Sequence, residues 1–403
     1  MKTVAFLSNI DKTENGAFGN NGSEDRYRGI LVLMTVPLAW GTFEPVVRFV
    51  YAIDPPIPGL VFSPCYYLVA ATALSALSFV TSRSDDEQTG ILSSFENIGD
   101  RTAEENPALP ILGGMELGFY LFLGNSLQVL GLNTLNSDRV AFLIQLTTIF
   151  VPLVQAITAR NFFAIPTRTW IACLVALAGV GVIGLEDSVQ SDNLYGVSDD
   201  LPNFIFSGQF LGQGDYLVIG AALAYTFHCI RLEKYAKETR AVTLAAYKAT
   251  SETLLSLSLV AILLIYNRSG VGDGATSNNL LSTFAHDTGK DIASFLGTFP
   301  ERIADGSIPP SVLFPAVLAV LFTGLVTCAY TIYAQSYGQS RVNPSDANLI
   351  YTFQPVWTSL IAYFLLGETL GPTGFIGGAM IGLAVFLVIS SNQGLDATSE
   401  NLN

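Results

Sequence analysis

The feature that most constrains this chain is a series of apolar stretches, each as long as a membrane is thick. A helix needs about 20 apolar residues to cross the hydrocarbon core of a bilayer. Ten stretches of this kind lie near residues 30–51, 58–81, 110–131, 139–159, 167–186, 213–234, 242–266, 311–336, 346–366 and 372–391. We therefore expect an all-α polytopic membrane protein with ten transmembrane helices.

Composition excludes several other classes of protein. Only 13% of the residues are charged, whereas a soluble domain has roughly a quarter, so an ordinary soluble enzyme is excluded. The net charge of −14 argues against a nucleic-acid partner, because phosphate binding depends on clustered Lys and Arg. The two histidines and the scattered cysteines predict no zinc site, and no catalytic or cofactor motif is present. We expect neither enzyme activity nor a cofactor.

Polar segments divide the chain and indicate its orientation. Residues 1–29 are predicted to be a disordered tail and 392–403 a second polar tail, while 187–212 and 267–310 have the composition of solvated loops. Lys and Arg near the helix ends are in excess on the side of the N-terminus, which predicts that both termini face the cytoplasm or the stroma of a plastid. The sequence leaves open a plastid envelope, the plasma membrane or an endomembrane.

The two halves of the chain resemble one another. Two pairs of segments match, 38–43 with 223–227 and 137–141 with 344–348. We therefore divide the chain into two repeats of five spans, residues 30–186 and 213–391. Because five is odd, the second repeat is predicted to lie inverted in the membrane relative to the first.

The second repeat also contains a helix motif that points to a family. The segment 343–348 opens an apolar helix that carries Pro355, and residues 366–368 read Leu-Gly-Glu. This pattern resembles EamA-type members of the drug/metabolite transporter superfamily, although the first half has Ala-Arg-Asn at 159–161 where Gly-Glu would stand. The resemblance implies ten helices in two inverted repeats and a transport function, and it does not identify the substrate.

Polar side chains inside the apolar stretches are candidates for a solute site, because ionisable groups are costly in hydrocarbon. The predicted substrate-binding residues are Trp40, Glu44, Asn125, Tyr225, His228, Tyr351 and Gln354. Six of them have a structural alternative: an ion pair for Glu44, hydrogen bonds between helices for Asn125 and His228, and interfacial belts for the three aromatic residues.

Two carboxylates are candidates for proton coupling, Glu44 first and Glu252 second. A low-dielectric cavity favours the protonated carboxyl group, so a change in exposure during a transport cycle would bind or release a proton. Arg48 and Lys248 lie one turn away and would instead hold these carboxylates ionised in structural pairs. The sequence leaves both alternatives open.

Two prolines are predicted to interrupt the fourth and ninth spans. Pro355 removes a backbone donor and frees a carbonyl near Tyr351, and Pro152 does the same near Thr148. In a membrane such interruptions persist where the helix lines a cavity or where neighbours satisfy the freed groups.

These observations predict a secondary transporter that moves small organic metabolites by alternating access, with proton coupling through Glu44 or Glu252. A non-transporting membrane scaffold or receptor is the alternative. The expected partners are a small-molecule solute and membrane lipid, and the sequence leaves a homodimer open.

Overall fold

Long apolar helices joined by short turns build the bundle. The structure is a computed structural model, and it describes residues 25–51, 53–54, 56–86, 108–132, 135, 140, 143–160, 167–179, 182, 213–269, 280–306, 308, 310–366, 375–380, 382–384 and 386–387. None of these residues forms a β-strand, which agrees with the predicted all-α class.

The helices follow the apolar stretches of the sequence. In chain order they are α1 (25–40), α2 (Phe43–Tyr51), α3 (Gly59–Asp86), α4 (Leu109–Leu132), α5 (Thr147–Thr158), α6 (Thr167–Gly179), α7 (Gln213–Glu238), α8 (Ala241–Arg268), α9 (Leu280–Ala304), α10 (Pro310–Phe322), a π-helix (Thr323–Tyr330), α11 (Thr331–Gln339), α12 (Pro344–Tyr351), α13 (Gln354–Leu366) and α14 (Phe375–Ala384).

Several of these segments are suited to a membrane. Four described segments have the length and the hydropathy of a membrane span: Asp25–Tyr51, Gly59–Thr81, Ala241–Arg268 and Val312–Gln339. This confirms the expectation of a helical protein with several apolar spans, whereas the count of ten and the inverted repeat stay predictions. The predicted loop 187–212, the tail 392–403 and residues 1–24 of the first tail lie outside the described residues.

The predicted boundary of the first tail is wrong by several residues. Helix α1 already begins at residue 25, inside the tail predicted for residues 1–29. Arg26 in its first turn donates a hydrogen bond to Asp346 at 3.0 Å, and Gly29 packs against Arg341 and Val342. The start of this helix is therefore held by tertiary contacts, which its polar sequence did not reveal.

The interpretation of residues 267–310 as a loop is also wrong, because most of this segment forms helix α9. Its Ile292 is fully buried in a cluster with Leu263 and Val129, and Gly289 lies so close that a Cβ atom would sit 2.7 Å from the Leu263 carbonyl oxygen. One apolar face is enough to hold a helix against the bundle. Charged residues on the remaining faces of α9 lower its mean hydropathy below that of a transmembrane helix.

Glycines allow α4 to approach α7 and α8 closely. A Cβ on Gly113 would lie 2.7 Å from the ring of Tyr235 in α7, and one on Gly114 would lie 2.2 Å from Cβ of Tyr247 in α8. Small residues of this kind let helix backbones pack directly in membrane proteins. The result is a rigid three-helix group that positions one wall of the site.

Three helical segments are interrupted where they approach the other sides of the site. Helix α12 ends at Tyr351 and α13 begins at Gln354, as Pro355 predicts, and turns at Gln145 and Leu146 precede α5 with its internal Pro152. The π-helix between α10 and α11 has no counterpart in our sequence analysis. It places Thr323, Thr327 and Cys328 on the buried side.

We expect Gly114→Leu to destabilise the protein, because the new side chain must push α8 away from α4. Forced overpacking costs about 1–3 kcal/mol or more, so the midpoint of thermal unfolding in detergent should fall by several degrees. Gly297→Leu is the matched control: Gly297 is helical, and its Cβ would meet nothing within 4 Å. It should leave the midpoint unchanged or raise it, and equal loss in both variants would contradict the packing account.

Candidate functional site

A cavity of about 140 Å³ lies in the middle of the bundle. Helices from both predicted repeats contribute to its wall. The lining residues are Trp40, Phe43, Tyr66, Tyr67, Leu121, Asn125, Gln128, Ile144, Gln145, Thr147, Tyr225, His228, Cys229, Glu252, Thr323, Thr327, Cys328, Thr331, Ile332, Gln335, Asn348, Tyr351 and Gln354. The wall is therefore rich in aromatic rings, amides and hydroxyl groups.

Six of the seven predicted substrate-binding residues come together at this cavity. They are Trp40, Asn125, Tyr225, His228, Tyr351 and Gln354. The seventh, Glu44, does not line the cavity, and it lies directly behind Gln354. Their contact with a solute stays a prediction.

Hydrogen bonds fix the orientation of several wall side chains. The hydroxyl of Tyr225 donates to Oε1 of Gln128 at 2.8 Å, and Nδ2 of Asn125 donates to the hydroxyl of Ser63 at 3.3 Å. The rings of Trp40 and Tyr351 meet edge to face with their centroids 5.0 Å apart. These contacts join α1, α3, α4, α7 and α12 around the cavity, so its shape is preorganised.

Glu44 is buried and hydrogen-bonded to the wall. Its side chain is 1% exposed, and its Oε1 accepts a hydrogen bond of 3.0 Å from Nε2 of Gln354. The side chain of Arg48 lies outside the described part of the chain, so the predicted alternative of a Glu44–Arg48 ion pair is not tested. A change in the protonation of Glu44 would reach the cavity through Gln354.

Glu252 faces the cavity, and it does not form the ion pair with Lys248 that the sequence suggested. Glu252 and Lys248 are 1% and 0% exposed, yet these two described side chains form no ion pair within 4.0 Å. Nζ of Lys248 and Oε2 of Glu252 have no hydrogen-bond partner. Glu252 lines the cavity and Lys248 does not, so Glu252 is the acidic side chain among the described lining residues.

Further buried polar atoms on the cavity wall have no hydrogen-bond partner in the described part of the protein. They include Nε2 of His228, the hydroxyl oxygen of Thr323 and Nδ2 of Asn348. A buried polar atom without a partner costs about 1–3 kcal/mol. A polar molecule that pairs with these atoms would recover part of that cost, which is typical of a binding site. In the described residues no three His, Cys, Asp or Glu side chains are grouped as metal ligands.

Sequence reasoning missed part of the wall. Tyr66 and Tyr67 lie in the apolar stretch that also contains Pro64, and both are buried at the cavity. Thr323, Thr327 and Thr331 follow one another at intervals of four residues and share one face. The four-residue interval is the sequence feature that could have identified these threonines. It is not noticed when only ionisable groups are considered, because threonine is common in apolar helices.

Two ion pairs join distant parts of the chain at one end of the bundle. Arg231 of α7 donates through Nη2 to Glu116 of α4 at 2.8 Å, and the Tyr235 hydroxyl donates to the same carboxylate at 2.6 Å. Arg26 and Asp346 form the second pair. Two residues before Arg231, the thiol of Cys229 contacts the carbonyl oxygen of Pro344 at 3.6 Å, so both pairs lie toward the same end.

The fold occurs in a solved crystal structure of another protein. That structure matches this chain with a TM-score of 0.57, covering 92% of this chain and 99% of the other, at 14% sequence identity. At this identity the likeness concerns the fold alone, and it supports the helical architecture described above.

Sequence comparison gives the family. Residues 292–390 match the model of the EamA-like transporter family. The chain is also 33% identical over 73 residues to the permease-like protein YdzE of Bacillus subtilis (strain 168), an alignment that covers 18% of this chain and 94% of that protein. With its apolar helices, this chain is a multi-pass integral membrane protein that belongs to the EamA-like transporter family.

Proposed function

We propose that the protein is a secondary transporter that moves small organic metabolites across a membrane by alternating access. The observation that carries the proposal is the central cavity, which both predicted repeats build and whose wall holds buried polar atoms without partners. Transporters built from inverted repeats bind their substrates at the interface between the repeats, near the middle of the bilayer. The permease-like name of the Bacillus subtilis relative supports the same class of function.

Alternating access requires contacts that close one end of the cavity and open again. The pairs Glu116–Arg231 and Arg26–Asp346 are suited to this role, because the first joins the two predicted repeats and the second joins the start of α1 to the predicted second repeat. Arg231 and Glu116 retain 38% and 28% side-chain exposure, so water competes for them and the pair can separate at modest cost. We assign this end to the side of the termini, which the Lys and Arg excess places in the cytoplasm or stroma.

Proton coupling forms the third part of the proposal, with Glu44 as the first candidate. Glu44 lies behind the wall, and its contact with Gln354 links its protonation to a residue that lines the cavity. Glu252 is the second candidate, and the titratable groups around it are Lys248, His228, Tyr66, Tyr67, Tyr225 and Cys328. Because Glu252 also lines the cavity, its replacement would alter both solute binding and proton coupling. Glu44 does not line the cavity, so its replacement is the better test of proton coupling.

The transport proposal is tested with the purified protein in liposomes. We expect at least one member of pooled amino acids, amines, nucleosides, sugars or organic acids to enter faster than into protein-free liposomes, and an inward proton gradient to change its accumulation. Glu44→Gln should abolish the effect of the gradient and retain solute exchange. Glu301→Gln, which removes a carboxylate from an exposed position of α9, should behave as the wild type.

Two results would contradict these proposals separately. If no solute moves and none shifts the unfolding temperature, the scaffold or receptor alternative is favoured. If the wild type accumulates solute without regard to the gradient, transport stands and proton coupling fails. A purely structural Glu44–Arg48 pair predicts poor expression of Glu44→Gln that Arg48→Met partly restores.

The ion pairs at the closed end give a second prediction. Glu116→Gln and Arg231→Gln should each change the exchange rate by up to about fivefold, because a partly exposed pair contributes up to about 1 kcal/mol. The charge-reversed double variant Glu116→Arg with Arg231→Glu should return toward the wild-type rate. Lys237→Gln is the control, since it breaks an exposed pair with Glu233 within α7, and an equal effect there would contradict a gating role.

A further inference from the structure

We infer that the cavity selects organic solutes that carry a protonated amino group, and that Glu252 receives this group. The inference rests on the proposed transport function and names the class of its substrate. It starts from the charges on the wall: Glu252 is the acidic residue among the described lining residues, and no described Lys or Arg lines the cavity. A phosphate or carboxylate would meet a carboxylate here without a cationic partner, which disfavours anionic solutes.

The charged side chains that lie near the cavity without lining it also favour a cationic solute. Glu44 lies behind Gln354, and Lys248 lies one turn from Glu252 as a fully buried side chain that is not among the lining residues. Among the side chains that the structure describes, two carboxylates thus stand close to the cavity against one ammonium group.

Aromatic rings provide the second element of a cation site. Trp40, Phe43, Tyr66, Tyr67, Tyr225 and Tyr351 line the same cavity. The face of an aromatic ring attracts a cation within about 6 Å, and the attraction grows when water is excluded. The rings also suit the apolar body of the solute, so an amine with an aromatic or aliphatic body fits better than a small inorganic cation.

Unpartnered atoms on the wall distinguish this site from a structural ionic core. Oε2 of Glu252 has no hydrogen-bond partner although the residue is 1% exposed, and Nε2 of the 3% exposed His228 has none either. Hydrogen bonds to charged groups are stronger than those between neutral groups. An ammonium group has three donors, so it can bond the carboxylate and leave donors for the amide and hydroxyl oxygens nearby.

The test uses three probes of nearly the same shape that differ in charge. They are phenethylamine, which is a cation at neutral pH, the neutral 2-phenylethanol and the anionic 3-phenylpropanoate. Their affinities are measured by titration calorimetry with the full-length protein in lipid nanodiscs. We expect phenethylamine to bind at least about tenfold more tightly than the alcohol, because a charge-assisted hydrogen bond is gained, and the propanoate to bind more weakly than the alcohol.

Variants assign the preference to Glu252. Glu252→Gln keeps the size of the side chain and should lower the affinity for phenethylamine by about tenfold or more while the affinity for the alcohol changes less than threefold. Glu252→Asp keeps the charge and should retain most of the preference, which separates charge from folding. Glu301→Gln removes an equal charge on the exposed face of α9 and should change neither affinity.

The outcomes separate this inference from the transport proposal. Tight binding of the propanoate, or an unchanged preference for the amine in Glu252→Gln, would overturn the inference even if the liposomes transport a solute. Selective amine binding without transport in liposomes would support the inference about the site and would contradict the transport proposal alone.

Discussion

The need to satisfy polar groups away from water shapes this protein more than any other constraint. In hydrocarbon an unsatisfied backbone or side-chain group costs several kcal/mol, so helices dominate and irregular backbone is confined to protected places. Here the turns at Gln145 and Thr352 and the π-helix all adjoin the central cavity. The positions where the helices deviate are therefore the positions where polar side chains converge.

Close packing of the helices holds these polar side chains in fixed positions around the cavity. Gly113, Gly114 and Gly118 hold α4 against α7 and α8, and this group carries Asn125, Gln128 and Tyr225 on one side of the cavity. On the other side, Gly324 lets the π-helix lie against Tyr66 and Val69 of α3. A wall fixed in this way can present Glu252 and His228 without partners, because neighbouring helices cannot collapse onto them.

The sequence predicted the helical class and six residues that line the cavity, since both follow from the cost of polar groups in apolar segments. It could not predict α9, whose apolar face becomes visible only when Ile292 is seen against Leu263. From the sequence, Glu44 and not Glu252 was predicted to bind the substrate. Both are acidic residues in apolar helices with a cation one turn away, and only the tertiary contacts place Glu252 at the cavity and Glu44 behind Gln354. The threonine face, which continues from the π-helix into α11, shows in the sequence only as the four-residue interval of Thr323, Thr327 and Thr331.

Access of a thiol reagent to the cavity tests the central claim of alternating access most directly. Cys328 lines the cavity, so it can be kept as the sole thiol after Cys65, Cys173 and Cys229 are replaced by serine. A membrane-impermeant methanethiosulfonate is then applied to either face of oriented proteoliposomes. Our account predicts that Cys328 reacts from both faces, and that Glu116→Gln raises the rate from the face of the termini and lowers it from the opposite face. Reaction from one face alone, unchanged by Glu116→Gln, would contradict alternating access.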